Sequence, residues 1–300
     1  MSQEHQDYRS GFVSIIGCPN VGKSTLLNKL IGQKIAIVTD RAQTTRNKIT
    51  GVLTRPGYQI IFLDTPGVTE PKNRLGDYMQ KVAFDACNEV ETILFVVDGL
   101  QGVRSRDEQL IERLKKAKAP VVALINKADA ASMSQMAAAR HALETHGCFV
   151  HVLAGSAETG DGLEQLEQVL QTYLTPGPQY FPEDMVTDQP ERIICGELVR
   201  EKALTLLREE VPHGVGVGID KMERREDRDL MDVYATIYCE RDTHKGIIIG
   251  KSGTMLKKIG QLARQDMEWL LGCKVNLQLW VKVKEDWRNK PAILHELGYE

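Results

Sequence analysis

The sequence has little of what marks a membrane protein or a zinc protein. No apolar run approaches the ~18 residues that a membrane-spanning helix needs. The six cysteines are scattered and include no Cys-x-x-Cys pair, and the seven histidines show no ligand spacing. These absences predict a reduced, cytoplasmic chain that lacks structural zinc.

Charge is abundant but almost balanced, with a net charge of −3 over 300 residues. Apolar content of 42% and charged content of 26% are typical of globular proteins, and the length is comfortable for two domains. Residues 1–180 carry 19 basic and 19 acidic side chains, residues 181–240 carry 8 and 15, and residues 241–290 carry 11 and 5. The last, basic block indicates a site for a polyanion, although an ordinary solvated face would give the same count.

A glycine-containing loop follows the apolar run at 12–16 and precedes a leucine-rich helical segment. In such a strand–loop–helix context, backbone N–H groups and the helix N-terminus bind phosphate. We expect Lys23 to reach the β- and γ-phosphates and the Ser24 hydroxyl to ligate Mg²⁺. The pattern predicts a nucleoside triphosphate site formed by Gly17, Cys18, Pro19, Asn20, Val21, Gly22, Lys23, Ser24 and Thr25.

Strands and helices alternate after this loop. Two β-rich runs at 48–53 and 58–63 flank the turn signal Arg55-Pro56-Gly57 and predict a hairpin. Apolar strands are predicted at 92–98, 121–125 and 149–153, and helices at 73–87, 106–116, 133–146 and 163–174. This order predicts an α/β fold with a mixed, mostly parallel sheet covered by helices on both faces.

The segment 175–190 holds four prolines and no helical period, so it predicts a linker between two domains. Beyond it the pattern changes to a helix at 191–207, strands at 214–219 and 231–238, a helix at 254–271 and a strand at 274–284. The C-terminal part is therefore predicted to be a smaller α+β domain.

Two polar motifs follow strands of the predicted sheet. Asp64, in the run Asp64, Thr65, Pro66, Gly67 and Val68, is suited to hold Mg²⁺ through water, and the Gly67 N–H to contact the γ-phosphate. The second motif is Asn126, Lys127, Ala128 and Asp129, in which the Asp129 carboxylate matches the two donors of guanine that adenine lacks. Asn126 is expected to brace the phosphate loop, Lys127 to pack on the base, and Ser156 and Ala157 to offer it a backbone N–H. The set predicts a GTPase rather than an ATPase or a nucleotide kinase.

Over residues 11–174 these motifs, with the loop Gln43-Thr44-Thr45-Arg46 and the run Ser-Ala-Glu-Thr-Gly, resemble the TrmE–Era branch of bacterial GTPases. The resemblance implies a GTPase domain over 1–174 in which Thr44 or Thr45 ligates Mg²⁺ only while GTP is bound. Thr45 is favoured, but the sequence does not separate the two. Asn20 resembles a K⁺-binding asparagine of relatives, so the implied catalytic set is Lys23, Asn20 and Thr45. Val68 stands where many GTPases place a water-orienting glutamine, and turnover is therefore expected to be slow.

A second glycine loop lies inside the basic block. A Gly-x-x-Gly sequence that follows an apolar segment and opens a helix is typical of K-homology (KH) RNA-binding loops, although a simple helix–helix turn shares it. The order of predicted elements resembles the bacterial, type II form of the KH domain, here over residues 191–300. The predicted RNA-binding residues are Lys245, Ile248, Gly250, Lys251, Ser252, Gly253, Lys257 and Lys258.

Together the two resemblances indicate a member of this GTPase branch that carries one KH domain after a short proline linker. They imply that the nucleotide state gates binding to the single-stranded 3′ end of small-subunit ribosomal RNA, in assembly of the small ribosomal subunit. The alternative is a GTPase of the same branch that is coupled to RNA modification or acts on another RNA. The implied ligands are GTP or GDP and Mg²⁺, with K⁺ as a hypothesis. A monomer and peripheral contact with the inner membrane are also implied.

Overall fold

A computed structural model describes residues 8–41, 43–209 and 211–299. The chain forms two compact units: the first contains 1–36, 45–70 and 79–188, and the second contains 37–44, 71–78 and 189–300. The division at 188/189 lies inside the segment predicted as the linker. The two short segments that group with the second unit come from the part of the sequence assigned to the GTPase domain.

The first unit is built on a mixed sheet with the strand order β2-β3-β1-β4-β5-β6. The hairpin strands β2 and β3 pair antiparallel, as predicted, while β3-β1, β1-β4, β4-β5 and β5-β6 pair in parallel. The bounds are β1 Arg9–Ile16, β2 Ile49–Arg55, β3 Tyr58–Asp64, β4 Thr92–Asp98, β5 Val121–Asn126 and β6 Phe149–Ala154. A two-residue strand, β7 Thr175–Pro176, pairs with β1 inside the predicted linker, where the sequence indicated no strand.

Helices cover both faces of this sheet, which confirms the predicted fold class. Neighbouring residues on a strand point to opposite faces. On β1, Ile15 therefore packs with Leu26 and Leu166, whereas Ile16 packs with Leu110. The helices are α1 Lys23–Ile31, α2 Arg74–Asp85, α3 Ser105–Leu114, α4 Met133–Thr145 and α5 Leu163–Gln171; of α2, only the part from Met79 onward groups with this unit. The strands with continuous apolar sequence, β4 and β5, are buried along their whole length.

The second unit contains a sheet with the order β10-β9-β8, in which β9 pairs parallel with β10 and antiparallel with β8. Its strands are β8 Gly216–Arg224, β9 Leu230–Cys239 and β10 Lys274–Val283, and its helices are α6 Glu191–Leu206, α7 Asp242–Ile249, α8 Thr254–Leu271 and α9 Pro291–Glu296. Alternate residues of β9, among them Val233 and Ile237, form one core with Leu198 of α6 and Met267 of α8. This is the helix–sheet arrangement that the alternating pattern predicted for the C-terminal domain.

Among the helices of the described residues, none has the length and apolar character needed to cross a lipid bilayer.

Candidate functional site

The phosphate-loop motif connects β1 to α1 through a tightly curled backbone. Asn20 and Gly22 adopt left-handed conformations, with φ of 65° and 96°. A Cβ on Gly22 would lie 2.3 Å from Asn126 Nδ2, and one on Gly17 would lie 2.4 Å from the Val96 carbonyl oxygen. Side chains at these two positions would therefore clash, which explains why the motif needs glycine there.

Lys23 is buried in the curl of this loop. Its Nζ donates hydrogen bonds to the carbonyl oxygens of Gly17 and Cys18, both over 3.1 Å. Burial lowers the pKa of the Lys23 ammonium, while the nearby charge of Asp64 opposes that shift. Burial, reinforced by Asp107, raises the pKa of the Cys18 thiol to about 12, so this side chain stays neutral beside a bound phosphate.

Three oxygen-bearing side chains meet next to the loop. Ser24 Oγ donates to Asp64 Oδ2 over 2.7 Å and lies 2.8 Å from Thr45 Oγ1. Burial raises the pKa of Asp64 to about 6, although Lys23 and these hydroxyls oppose the shift. Its Oδ1 is buried without a hydrogen-bond partner among the described residues. An unpartnered carboxylate oxygen beside two hydroxyls is a donor set that fits Mg²⁺.

The two candidate threonines have different surroundings. Thr44 Oγ1 donates to the Arg41 carbonyl oxygen over 2.6 Å and lies 2.7 Å from Thr39 Oγ1. Thr45, not Thr44, has its hydroxyl at Ser24. The geometry therefore favours Thr45 as the residue that would hold the metal.

The segment after β3 packs closely on the phosphate loop. The Thr65 hydroxyl donates to the Ile15 carbonyl oxygen over 2.8 Å, and the Val68 N–H donates to the Gly17 carbonyl oxygen over 3.2 Å. A Cβ on Gly67 would lie 2.9 Å from Pro19, so only glycine brings this backbone so near the loop. The side chain of Val68 packs against the apolar core on one face of the sheet.

Asn126 connects the phosphate loop to the segment after β6. Its Nδ2 donates to the Val21 carbonyl oxygen and its Oδ1 accepts the Ala157 N–H, both over 2.8 Å. The bracing role predicted for Asn126 is thus present in the geometry. Because the Ser156 N–H donates to the Asp161 carbonyl oxygen, both backbone donors predicted for guanine are already engaged, and Ala157 would have to share its hydrogen with the base.

Lys127 makes a contact that the sequence did not indicate. Its Nζ donates to Asp98 Oδ2 over 2.7 Å and to the Asn20 carbonyl oxygen over 2.9 Å. Asp98 ends β4 and is buried. An acidic residue at the carboxyl end of a central strand was the available signal for it. Asp129, two residues after Lys127, is exposed, so its carboxylate is accessible to a base.

The Gly-x-x-Gly motif forms the predicted loop between two helices. α7 ends at Ile249, directly before Gly250, and α8 begins after Gly253; Ser252 between them has a φ of 50°. A Cβ on Gly250 would lie 2.7 Å from Met255, whereas one on Gly253 would meet nothing within 4 Å. The side of the loop at Gly253 is therefore open to an approaching backbone.

A groove of about 600 Å³ runs from this loop between α8 and β10. Sequence reasoning identified Gly253 and Lys257 among its lining residues. It missed the two residues of β10, which reaches α8 only through the fold, and four further residues of α8 itself. The missed lining residues are Leu256, Gly260, Gln261, Arg264, Leu277 and Leu279. Apolar walls with basic side chains at the rim suit an unpaired nucleic acid strand.

Ile248 requires a correction. Its side chain is 0% exposed and packs in the core of the second unit, so it does not line a surface that RNA can reach. The apolar segment before the loop is the last turn of α7, and helical geometry turns Ile248 inward while its neighbour Ile247 is 49% exposed. Lys251, Ser252, Lys257 and Lys258 are exposed, and Lys245 is partly exposed.

These two sites on these two folds define a P-loop GTPase that carries a C-terminal KH domain. A family model described as 50S ribosome-binding GTPase matches residues 12–127, and a KH domain model matches residues 210–288. The chain is 51% identical over 293 residues to GTPase Era of Alkaliphilus metalliredigens, covering 98% of this chain and 99% of the relative. It is 50% identical to GTPase Era of Clostridioides difficile, covering 97% and 99%. The chain belongs to the Era family of GTPases.

Solved structures agree with this assignment. A crystal structure of Era in complex with MgGDPNP and nucleotides 1506–1542 of 16S ribosomal RNA matches with a TM-score of 0.93 at 41% identity, covering 97% of this chain and 99% of that one. A crystal structure of a single-residue variant of Aquifex aeolicus Era, bound to GDP and AlF₄⁻, matches with the same TM-score, identity and coverage.

Proposed function

We propose that this GTPase uses its nucleotide state to gate binding of the single-stranded 3′ end of small-subunit ribosomal RNA during assembly of the small ribosomal subunit. The observation that carries the proposal is the presence of both sites in one chain that is similar, over 97% of its length, to an Era structure holding a GTP analogue and 16S ribosomal RNA nucleotides. The nucleotide site described above has groups that suit a GTP analogue with Mg²⁺, and the Gly-x-x-Gly loop with its groove has groups that suit RNA.

In the nucleotide site, Ser24, Thr45 and Asp64 would hold Mg²⁺, which on binding neutralises charge on the β- and γ-phosphates. Lys23 and the loop N–H groups bind the phosphates, and the Gly67 N–H contacts the γ-phosphate. Asp129 selects guanine, since adenine would leave its carboxylate without donors. Asn126 joins the phosphate loop to the base-binding segment, which keeps the phosphate-binding and base-binding parts of the site at a fixed distance.

We also propose slow turnover. Val68 occupies the position of a water-orienting glutamine, and its side chain, partly buried against the core, has no polar group that could orient a water. Asn20, which has a left-handed backbone conformation at the loop, would help bind a monovalent cation such as K⁺. A cation there would supply positive charge to the developing transition state.

In the RNA site, Lys257 and Arg264 along the groove and Lys251 in the loop would contact phosphates. Leu277 and Leu279 would pack on unpaired bases. The cytoplasmic location, which was predicted from the scattered cysteines, stays a prediction. The monomeric state and the peripheral membrane contact implied by the family resemblance also stay predictions.

The test is a binding measurement with the full chain. A labelled RNA oligonucleotide of the small-subunit 3′ end is titrated with protein loaded with a non-hydrolysable GTP analogue, with GDP, or with no nucleotide, and a scrambled RNA is the control. We expect RNA affinities that differ by about fivefold or more between nucleotide states. Equal affinities in all states would refute gating, and equal affinity for the scrambled RNA would refute the proposed target.

A competition experiment tests the base. Unlabelled GDP should displace a fluorescent GTP analogue, whereas ADP at the same concentration should not. Displacement by ADP at a similar concentration would refute the role of Asp129.

A further inference from the structure

A fully buried arginine on α6 holds the backbone that precedes Thr45. The Arg200 side chain is 0% exposed, and it donates through Nη2 to the Thr44 carbonyl oxygen and makes a longer contact of 3.5 Å through Nη1 to that of Gln43. Glu197, one turn earlier on α6, accepts from Arg200 Nε over 2.7 Å. A buried guanidinium persists only where its donors are satisfied, so these carbonyl oxygens are part of what keeps Arg200 in place.

The start of the same segment, residues 37–44, is also tied to α6. Glu201 Oε1 accepts the Val38 N–H over 2.9 Å, and Ile37 is buried in the core of the second unit. Arg41 Nη2 donates to the Leu207 carbonyl oxygen over 3.3 Å. Hydrogen bonds from α6 and the residue that follows it therefore hold this segment at Val38, Arg41 and Thr44.

From α6 a chain of ion pairs continues to α8. Lys202 Nζ lies 2.7 Å from Glu201 Oε2 and 2.6 Å from Asp266 Oδ2. Asp266 is on α8, the helix whose first turn follows Gly253 of the RNA loop. The side chains that hold the 37–44 segment thus connect through Lys202 to the helix that lines the RNA groove.

Thr44 and Thr45 share one planar peptide unit. Its carbonyl oxygen accepts from Arg200, and the side chain of the next residue lies at Ser24. A shift of this peptide that moves the Thr45 hydroxyl must also move the acceptor of Arg200. We infer that Arg200 is a positioning residue for Thr45, and that the route from Arg200 and Glu201 through Lys202 to Asp266 transmits the nucleotide state to α8. The second half of this inference rests on the proposed function.

Two readouts separate the two halves. The first is the Mg²⁺ concentration at half-maximal binding of a fluorescent GTP analogue, which reports how well Thr45 is placed and needs no RNA. The second is the ratio of RNA affinities in the GTP-analogue and GDP states, which reports transmission. Melting temperatures of each variant identify global destabilisation.

Arg200→Gln should raise the Mg²⁺ midpoint by about fivefold or more and bring the RNA affinity ratio towards one. Arg200→Lys keeps the charge but donates to fewer acceptors. It should raise the Mg²⁺ midpoint less than Arg200→Gln does and keep more of the RNA affinity ratio. Arg192→Gln is the matched control, because Arg192 is on the same helix and donates to the Ile219 carbonyl oxygen, and it has no hydrogen bond to the described residues of the 37–44 segment. It should leave both readouts unchanged.

Asp266→Asn tests the route without replacing a buried side chain, since Asp266 is partly exposed. It should lower the RNA affinity ratio and leave the Mg²⁺ midpoint unchanged. An unchanged Mg²⁺ midpoint in both Arg200 variants would overturn the positioning role, and an unchanged RNA ratio in Asp266→Asn would overturn the route. If the unmutated protein binds RNA with equal affinity in the GTP-analogue and GDP states, the proposed gating and the route both fail. The Mg²⁺ midpoint still decides the role of Arg200.

Discussion

The side-chain amide of Asn126 donates a hydrogen bond to the carbonyl oxygen of Val21 over 2.8 Å. The residue that begins the guanine motif thereby fixes the backbone of the phosphate loop, more than a hundred positions earlier in the chain. Because its other amide atom accepts from Ala157, one side chain joins three segments of the nucleotide site.

Asn126→Ala should therefore lower GTP and GDP affinity together, by about 10–100-fold, because two buried hydrogen bonds are lost and their partners stay unsatisfied. Isothermal titration with each nucleotide measures this. Gln59→Ala is the control, since Gln59 is also buried. Its side-chain amide makes hydrogen bonds to the Thr54 hydroxyl and to the backbone of residues 180 and 181. It should destabilise the fold with little effect on nucleotide affinity; a similar loss in both variants would mean that the Asn126 effect is not local.

Asp64 gives a prediction about pH. Burial raises its pKa to about 6 from an ordinary value of 3.8, so the folded protein without metal holds the proton more tightly than the unfolded chain. The stability this contributes is full below pH ~4 and is lost as the pH rises to about 6. Asp64→Asn should thus match the unmutated protein at pH 4 and be more stable by about 1–3 kcal/mol at pH 7 without Mg²⁺ and nucleotide. Urea unfolding at the two pH values measures the difference.

Adding Mg²⁺ and a GTP analogue should reverse that order, because only the ionised Asp64 of the unmutated protein gains from the cation. If Asp64→Asn were less stable than the unmutated protein at pH 7 without ligands, burial of the ionised Asp64 carboxylate would not destabilise the metal-free protein, and this prediction would be wrong.

Asn20 predicts a dependence on the monovalent cation. Hydrolysis should be faster in KCl than in NaCl at equal ionic strength, and Asn20→Gly should remove the difference. Glycine is the informative substitution, because it adopts the left-handed backbone of Asn20 without strain and deletes only the side-chain amide. Phosphate release under both salts measures the effect. Equal rates for the unmutated protein would remove K⁺ from the mechanism.

Gly253→Asp should abolish RNA binding and leave GTP affinity nearly intact, because it places a negative charge at the open side of the RNA loop. Gly272→Asp is closely matched: both glycines flank α8, have positive φ values of 77° and 65°, and have no atom near an added Cβ. Gly272 lies at the far end of the helix, so its variant should bind RNA normally. Loss of RNA binding in both would point to helix strain instead of charge at the loop.

Local sequence was enough for the parts of the sites that consist of neighbouring residues. The phosphate loop follows β1, and the Asp64–Gly67 turn and the Asn126–Asp129 motif begin at the last residues of β3 and β5. A motif at the carboxyl end of a parallel strand lies where such sheets bind their ligands. Strand and helix periodicity likewise predicted the fold class, with α8 at the predicted bounds.

What the sequence did not supply depends on distant contacts. Thr44 and Thr45 carry the same hydroxyl, and only the course of the loop shows that Thr45 meets Ser24. Ile248 looked accessible because three isoleucines in a row have no polar side, and the helix around them decides which one is buried. Asp98 and Arg200 act on partners 29 and 156 positions away, respectively, a distance that no local pattern encodes.

The grouping of residues 37–44 and 71–78 with the second unit also bears on how the protein can be divided. A fragment that ends near residue 188 keeps every residue of the guanine and phosphate motifs, but it loses α6, the anchor of the backbone before Thr45. Such a fragment would also leave the apolar Ile37 without its core. In a chimera that exchanges RNA-binding domains between relatives, the two short segments should therefore be transferred with the transplanted domain, although they lie far upstream of it.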